Sequence, residues 1–464
     1  MTEENINEER TVEETMENTP EVYHPRDSKY DIIGKISPFL DLHLLFPVFS
    51  WLESTGMYIQ KDLDMAKLEL LKPTKMVDFA IEIYKSVNNT EEVPQEMLDK
   101  REEVLAQFKV IQENDFVSFL SNETETVDQL INDNLFTRQA LQEHEISSSA
   151  IDESLSIAKF QMDCGAYQEA SELLFYYITL LTPTLPRPIS MPNDPLVVAL
   201  WGKFAADLLH SSSQDAFLGM KRIMDIISTD KSSSPSELLQ QRAYLLHWSL
   251  FLAAQHPAGI DIFNNIIFNM TKPTEYLSTI ELCCPWLMRY VCASVINNQK
   301  AWKSHIVDLL KRISTVYSDP LTELLVDLLI NLNFDNIKEH MKEMEIFLYS
   351  DFFFSYLGDE FIQKIMSNIR LLILDVYCPL FRTSSIDHLT SILHIKEDEL
   401  ESWLSTASVN YKRFFYEIQE DSNEVIIRGT NEPIYEQILK KSKGISERAK
   451  QQLLLLESRS NTTN

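Results

Sequence analysis

Apolar residues recur at helical spacing along most of the chain. Ile151, Leu155, Ala158 and Met162 are spaced 4, 3 and 4, and Tyr167, Ala170, Leu174, Tyr177 and Leu181 follow at 3, 4, 3 and 4. Each set forms one stripe on a helix. Gly165 lies between them, where a helix end readily turns left-handed, so the pattern predicts an antiparallel helical hairpin. Further along, Val197, Leu200, Phe204 and Leu208 precede the polar "HSSSQD", and Phe217, Met220, Met224 and Ile227 follow it. Leu239, Ala243, Leu246 and Leu250 then lead into "QHPAG", after which Ile260, Phe263, Ile267 and Met270 resume the spacing.

The G-x-Y-x-x-A turn at 165–170 resembles that of a tetratricopeptide repeat. The turns lie further apart than the ~34 residues of that unit, partly because the proline-rich "TPTLPRPISMPNDP" intervenes, so the reading is an irregular solenoid. Upstream, "YDIIGKISPFLDLHLLFPVFSWLE" and "MVDFAIEIYKSV" also carry helix-spaced apolar residues. The Ser-rich "STDKSSSPS" at 228–236 marks an internal boundary.

After Phe381 the pattern changes. "TSSIDHLTSILHIKEDELESWLSTAS" reads as helix, short turn, helix: Ser384 with Asp387 gives a start signal, and Glu397, Asp398 and Glu399 open the second helix, where its dipole favours anions. "RFFYEIQEDSNEVIIRGT" then gives two β-rich runs around Asp-Ser-Asn. This order predicts a winged helix. The expected fold class is thus all-α dominated: a TPR- or HEAT-like irregular solenoid ending in a winged helix and a C-terminal helix. The expected divisions are an acidic tail at 1–29, helical repeats at 30–227, a second helical part at 228–382, the winged helix at 383–430 and a C-terminal helix and tail at 431–464.

Composition narrows function. The formal charge is -29, so the long-range field repels phosphate backbones and anionic membranes. Nine acidic residues in 1–27 face only Arg10 and Arg26, a composition typical of disorder. No basic-then-apolar leader opens the chain and no window suits a membrane span, which predicts a soluble, intracellular protein with no membrane contact. The five cysteines (Cys164, Cys283, Cys284, Cys292 and Cys378) include no C-x-x-C and read as reduced, mostly buried thiols.

Helical repeats ending in a winged helix describe the PCI module shared by the proteasome lid, the COP9 signalosome and translation initiation factor 3. More specific stretches are "FLDLHLLFPVFSWL", "MVDFAIEIYKS", "AKFQMDCGAYQEA", "LWGKFAADLL", "LQQRAYLLHWSLF" with "HPAG", "YSDPLTELL" and "SDFFF". In order and spacing these resemble the family of the E subunit of eukaryotic translation initiation factor 3, from about Tyr30 to about Ser446. The resemblance implies a non-catalytic scaffold in the cytoplasm, with a nuclear pool allowed. Its partners would be the factor's PCI and MPN subunits and its D subunit, and through them the small ribosomal subunit. Lid or signalosome component, and winged-helix nucleic-acid regulator, are the alternative readings.

Chemistry in the sequence agrees with a scaffold. The two nearest glycines, Gly429 and Gly444, are 15 residues apart, so neither a P-loop nor a dinucleotide fingerprint can be written. H-E-x-x-H is absent, and no cofactor, metal or small-molecule substrate is expected. Cys283 and Cys284 point ~100° apart on a helix and read as core thiols. His388 and His394 read as structural, and Trp248, Phe251 and Tyr244 as core. The second helix of the winged helix carries four acids against Lys396, which disfavours insertion into a DNA groove.

Partner binding is expected instead at the hairpin edge, through Phe414, Tyr416, Ile418, Val425 and Ile427, and at the C-terminal helix, through Ile438, Ile445, Leu453 and Leu456. Lys440, Lys441, Lys443, Arg448 and Lys450 are candidate weak RNA contacts, and Lys300, Lys303, Lys311 and Arg312 a lesser basic spot.

Overall fold

A computed structural model describes residues 27–452 apart from 134, 183–192, 231, 269–272, 299–301, 314–316, 382, 412–413, 420–423, 430–437, 440 and 451. It divides into two compact units, Met1–Glu323 with Glu343–Ile365, and Leu324–Lys342 with Met366–Asn464.

The first unit is helical. Short helices α1 (Ile33–Ile36), α2 (Leu45–Thr55), α3 (Gln60–Leu71) and α4 (Val77–Asn88) precede α5 (Gln95–Gln112), α6 (Asp115–Asn122), α7 (Thr124–Asn132) and α8 (Arg138–Glu143). The expected hairpin follows as α9 (Ser148–Cys164) and α10 (Tyr167–Leu181). Ser147 caps α9 by accepting from the Ala150 amide. Gly165 ends the helix at φ 86°, and its amide and that of Ala166 donate to the carbonyls of Met162 and Gln161, both at 2.9 Å. A Cβ at Gly165 would stand 3.3 Å from Met76 Cε, a tight contact with a flexible side chain, so it is the positive φ that calls for glycine at this turn.

Two more hairpins extend the array: α11 (Pro195–Leu209) with α12 (Ser213–Thr229), and α13 (Pro235–Gln255) with α14 (Asp261–Phe268). Val197, Leu200, Phe204 and Leu208 are all buried, as their stripe predicts. Leu155, Tyr167, Phe217 and Leu239 are only half-buried, and Met270 lies outside the described residues. Ser234 and Glu237 close a reciprocal capping box at the start of α13, within the Ser-rich stretch. Next come α15 (Pro273–Cys283), α16 (Met288–Asn297), α17 (Trp302–Ile313) and α18 (Pro320–Val326), then α19 (Ile337–Ser350), α20 (Phe352–Tyr356) and α21 (Asp359–Leu380). Phe251, Phe352, Phe353 and Tyr290 meet edge to face or tilted at centroid distances of 5.0 to 5.9 Å and form a dense aromatic interior.

The second unit holds the winged helix. Strand β1 (Thr383–Ser385) leads into α22 (Ile386–Leu393) and α23 (Glu397–Tyr411), followed by β2 (Phe414–Gln419) and β3 (Glu424–Gly429). The sheet order is β1-β3-β2, wholly antiparallel, with Ser384 opposite Val425 and Ile418 opposite Val425 on the other side. Two details differ from the sequence reading. Ser385, not Ser384, caps α22, accepting from the His388 amide, because Ser384 is drawn into β1, where Tyr377 Oη donates to it at 3.1 Å. And β3 is central, so among the described strands β2 is the hairpin's outer strand.

Candidate functional site

The register settles where the hairpin residues stand. Side chains directly opposite share a face and alternate along each strand, so positions 414, 416, 418, 425 and 427 all lie on one face of the sheet. On that face Val425 is fully buried and Tyr416 and Ile418 half-buried, while Glu417 and Glu424 on the opposite face are exposed. Among the described side chains, Leu389, Ile392, Leu393, Leu400, Leu404 and Ala407 of α22 and α23 are the other buried apolar residues of the motif. Val425 therefore fills the unit's own core and is not an edge contact. The side chains of Phe414 and Ile427 lie outside the described residues.

Further on, residues 441–450 are helical and almost wholly exposed. Ile438 and Ile445 are 54% and 66% exposed, and Leu439 57%. Lys441, Lys443, Arg448 and Lys450 are exposed as well. Lys440, Leu453 and Leu456 lie outside the described residues, as does Lys300 in the lesser basic spot. There Arg312 is held by Glu281 at 2.7 Å, which leaves less free charge than the sequence suggests.

A buried polar knot, invisible in the sequence, organises the first unit. Arg289 of α16 donates to Asp351 at 2.6 Å with both side chains almost fully buried. Its guanidinium also donates to Tyr317 Oη at 2.7 Å and to the Tyr30 carbonyl at 3.3 Å, and lies 4.7 Å from the Phe347 ring centroid. Tyr290 Oη donates to the same carboxylate at 2.9 Å, and Asp351 caps α20 by accepting from the Phe353 and Phe354 amides. Burial pushes the Tyr290 phenol up, and Asp351 adds to it. Burial, the largest single influence, would lower Arg289, but the charge of Asp351 together with Tyr290, Tyr317 and Asp319 outweighs it and holds the guanidinium above its ordinary value. "YSDPLTELL", "SDFFF" and the first residue of the helical region thus converge on one arginine.

A second anchor fixes Phe39 on α13. Its ring stacks on His247 at 4.5 Å, and its carbonyl accepts from Trp248 Nε1 at 3.0 Å. Trp286 Nε1 donates to His247 Nε2 at 3.2 Å, so the neutral imidazole carries its proton on Nδ1, donated to the Ala243 carbonyl at 2.7 Å. Burial lowers His247 to about 4, against a small opposing effect of the Ala243 carbonyl.

Reactive constellations reduce to structure. Ser171, Lys203 and Asp207 gather between α10 and α11, but the serine hydroxyl donates to Asp207 and Lys203 pairs with the same carboxylate at 2.9 Å. Burial raises Asp207 in spite of both partners. Cys284 and Cys292 are buried free thiols pushed up by burial, and Cys283 is half-buried and raised in the same way, the reverse of an activated nucleophile. Cys378's side chain lies outside the described residues. Among the described residues no group of His, Cys, Asp and Glu is placed to hold a metal, and no helix is long and apolar enough to cross a membrane.

Stacked helical hairpins followed by a helix-turn-helix and a three-stranded sheet define a helical-repeat protein of the PCI type. Residues 31–161 match the family model described as "eIF3 subunit 6 N terminal domain". The chain is 30% identical to the E subunit of eukaryotic translation initiation factor 3 from Aspergillus fumigatus, covering 90% of this chain and 91% of that protein. It is 32% identical to the corresponding protein of Arabidopsis thaliana, covering 90% and 94%. The chain belongs to the E-subunit family of eukaryotic translation initiation factor 3.

Proposed function

We propose that the chain is a non-catalytic scaffold subunit of translation initiation factor 3 in the cytoplasm. It assembles with the factor's other PCI and MPN subunits and with its D subunit, and supports initiation on the small ribosomal subunit. The observation that carries this is the match to the factor's E subunit over nine-tenths of the chain. Two surfaces suit assembly: β2, the outer strand of the described sheet, and the exposed apolar side chains of Ile438 and Ile445. Degron-mediated depletion in the chain's own cells tests the role: polysomes fall and the factor's remaining subunits sediment in smaller complexes, and unchanged polysomes contradict it.

Direct RNA contact is a second reading, favoured by four exposed basic residues on one short helix, Lys441, Lys443, Arg448 and Lys450. Four phosphate contacts give a slope of log affinity against log salt no steeper than about -3 on single strands. Replacing the four by serine in the assembled factor flattens the slope by that amount if the helix touches RNA, and leaves it unchanged if the helix is solvated surface.

A further inference from the structure

The first unit contains a cleft of about 570 Å³ that the assembly surfaces above do not use. Its floor is Trp201 of α11 and Trp248 of α13, edge to face at 5.0 Å, and its walls are Leu155 and Met162 of α9 and Val198 of α11. Val198 is 45% exposed and Leu155 half-buried, so these positions stay open while the stripes beside them are closed.

Charge is placed unevenly along the cleft. Asp152 and Asp163 of α9 both line it, three turns apart, which gives a length of about 16 Å. Asp152 is paired with Arg138 at 2.8 Å. At the other end Asp163 stands with Asp41, whose carboxylate accepts the His43 amide, and both act electrostatically on His43. His43 is buried, hydrogen-bonded to Tyr167 at 3.1 Å, and its burial outweighs both carboxylates and disfavours its charged form. That end is therefore acidic, and Lys159 lies exposed between the two ends.

We propose that this cleft seats an extended segment of a partner protein, about five residues long, with one large apolar side chain on Trp201 and Trp248 and a Lys or Arg beside Asp41 and Asp163. The length follows from the span of α9, the apolar anchor from the tryptophan floor, and the basic neighbour from the two carboxylates. Phosphate-bearing occupants are disfavoured by those same carboxylates and by the net charge of -29. The inference is independent of which complex the chain joins.

Display of random short peptides against the immobilised full chain, followed by solution affinities of the winners, tests it. Selected peptides pair Phe, Trp, Leu or Met with a neighbouring Lys or Arg. Val198→Glu, at an exposed position that leaves the fold intact, weakens them by about tenfold or more. Asp163→Lys weakens them similarly and restores part of the binding when the basic residue of the peptide is changed to Glu. Peptides that bind Val198→Glu with unchanged affinity, that carry acidic flanks, or that fail to emerge at all overturn the proposal. So does a dimer of the chain that Val198→Glu dissociates, since the cleft would then belong to a second copy.

Discussion

Removing either member of the Arg289–Asp351 pair should cost far more than removing a surface ion pair. With Arg289→Met, Asp351 keeps Tyr290 Oη and two α20 amides but loses its cationic partner in a site with almost no solvent access. With Asp351→Ala, the guanidinium keeps Tyr317, the Tyr30 carbonyl and the weaker influence of Asp319 but loses its directly paired carboxylate, and α20 loses its cap. Breaking a buried pair this way costs about 3–5 kcal/mol, against about 1 kcal/mol or less for an exposed pair such as Arg101–Asp78. The double variant Arg289→Met/Asp351→Leu removes both members of the ion pair, so its loss should fall short of the sum of the two single losses by about 2–3 kcal/mol. Urea unfolding of the full chain, read by tryptophan fluorescence and checked by hydrogen exchange in α20, measures all three. Single losses under about 1 kcal/mol, or additivity within about 0.5 kcal/mol, would refute the claim that this knot ties Tyr30, α16 and α20 together.

His247 gives a pH dependence with a defined sign. Its folded value lies near 4 and its ordinary value is 6.5, so the unfolded chain binds the extra proton between these limits; stability is full above pH 6.5 and falls as pH drops toward 4. The interval corresponds to about 3 kcal/mol, with His43 adding in the same direction, and His247→Gln should flatten the slope; an unchanged slope in that variant contradicts the assignment. Gly165→Ala should destabilise the α9–α10 hairpin by about 1–2 kcal/mol through its φ of 86° and the contact with Met76, and a loss under about 0.3 kcal/mol would show that the turn relaxes freely. Val425→Asp should unfold the winged helix, with exchange protection lost across α22 and α23, whereas Glu417→Lys on the exposed face should leave it folded; equal effects would refute the assignment of faces.

What the sequence revealed and what it hid divide by range. The α9–α10 hairpin was legible because its signals are local: one glycine at the turn and apolar residues at i, i+3 and i+4 on either side. The helix-turn-helix before the hairpin strands was legible for the same reason. Strand β1 was not, since three residues are too few to show a period, and its presence moved the cap from Ser384 to Ser385 and made β3 central. The Arg289 knot joins residues as far apart as Tyr30 and Asp351, and no local pattern announces a buried arginine. Trp201 and Trp248 were hidden as a cleft floor for a related reason: helical spacing marks the inward stripe but does not show where two hairpins leave a gap beside it.

The central claim is membership of a defined assembly. Its most direct test is purification of the tagged chain from its native cells at high salt with nuclease, followed by quantitative mass spectrometry. The other subunits of translation initiation factor 3 are expected near unit stoichiometry. Recovery of proteasome-lid or signalosome components, or of the chain alone, would contradict it.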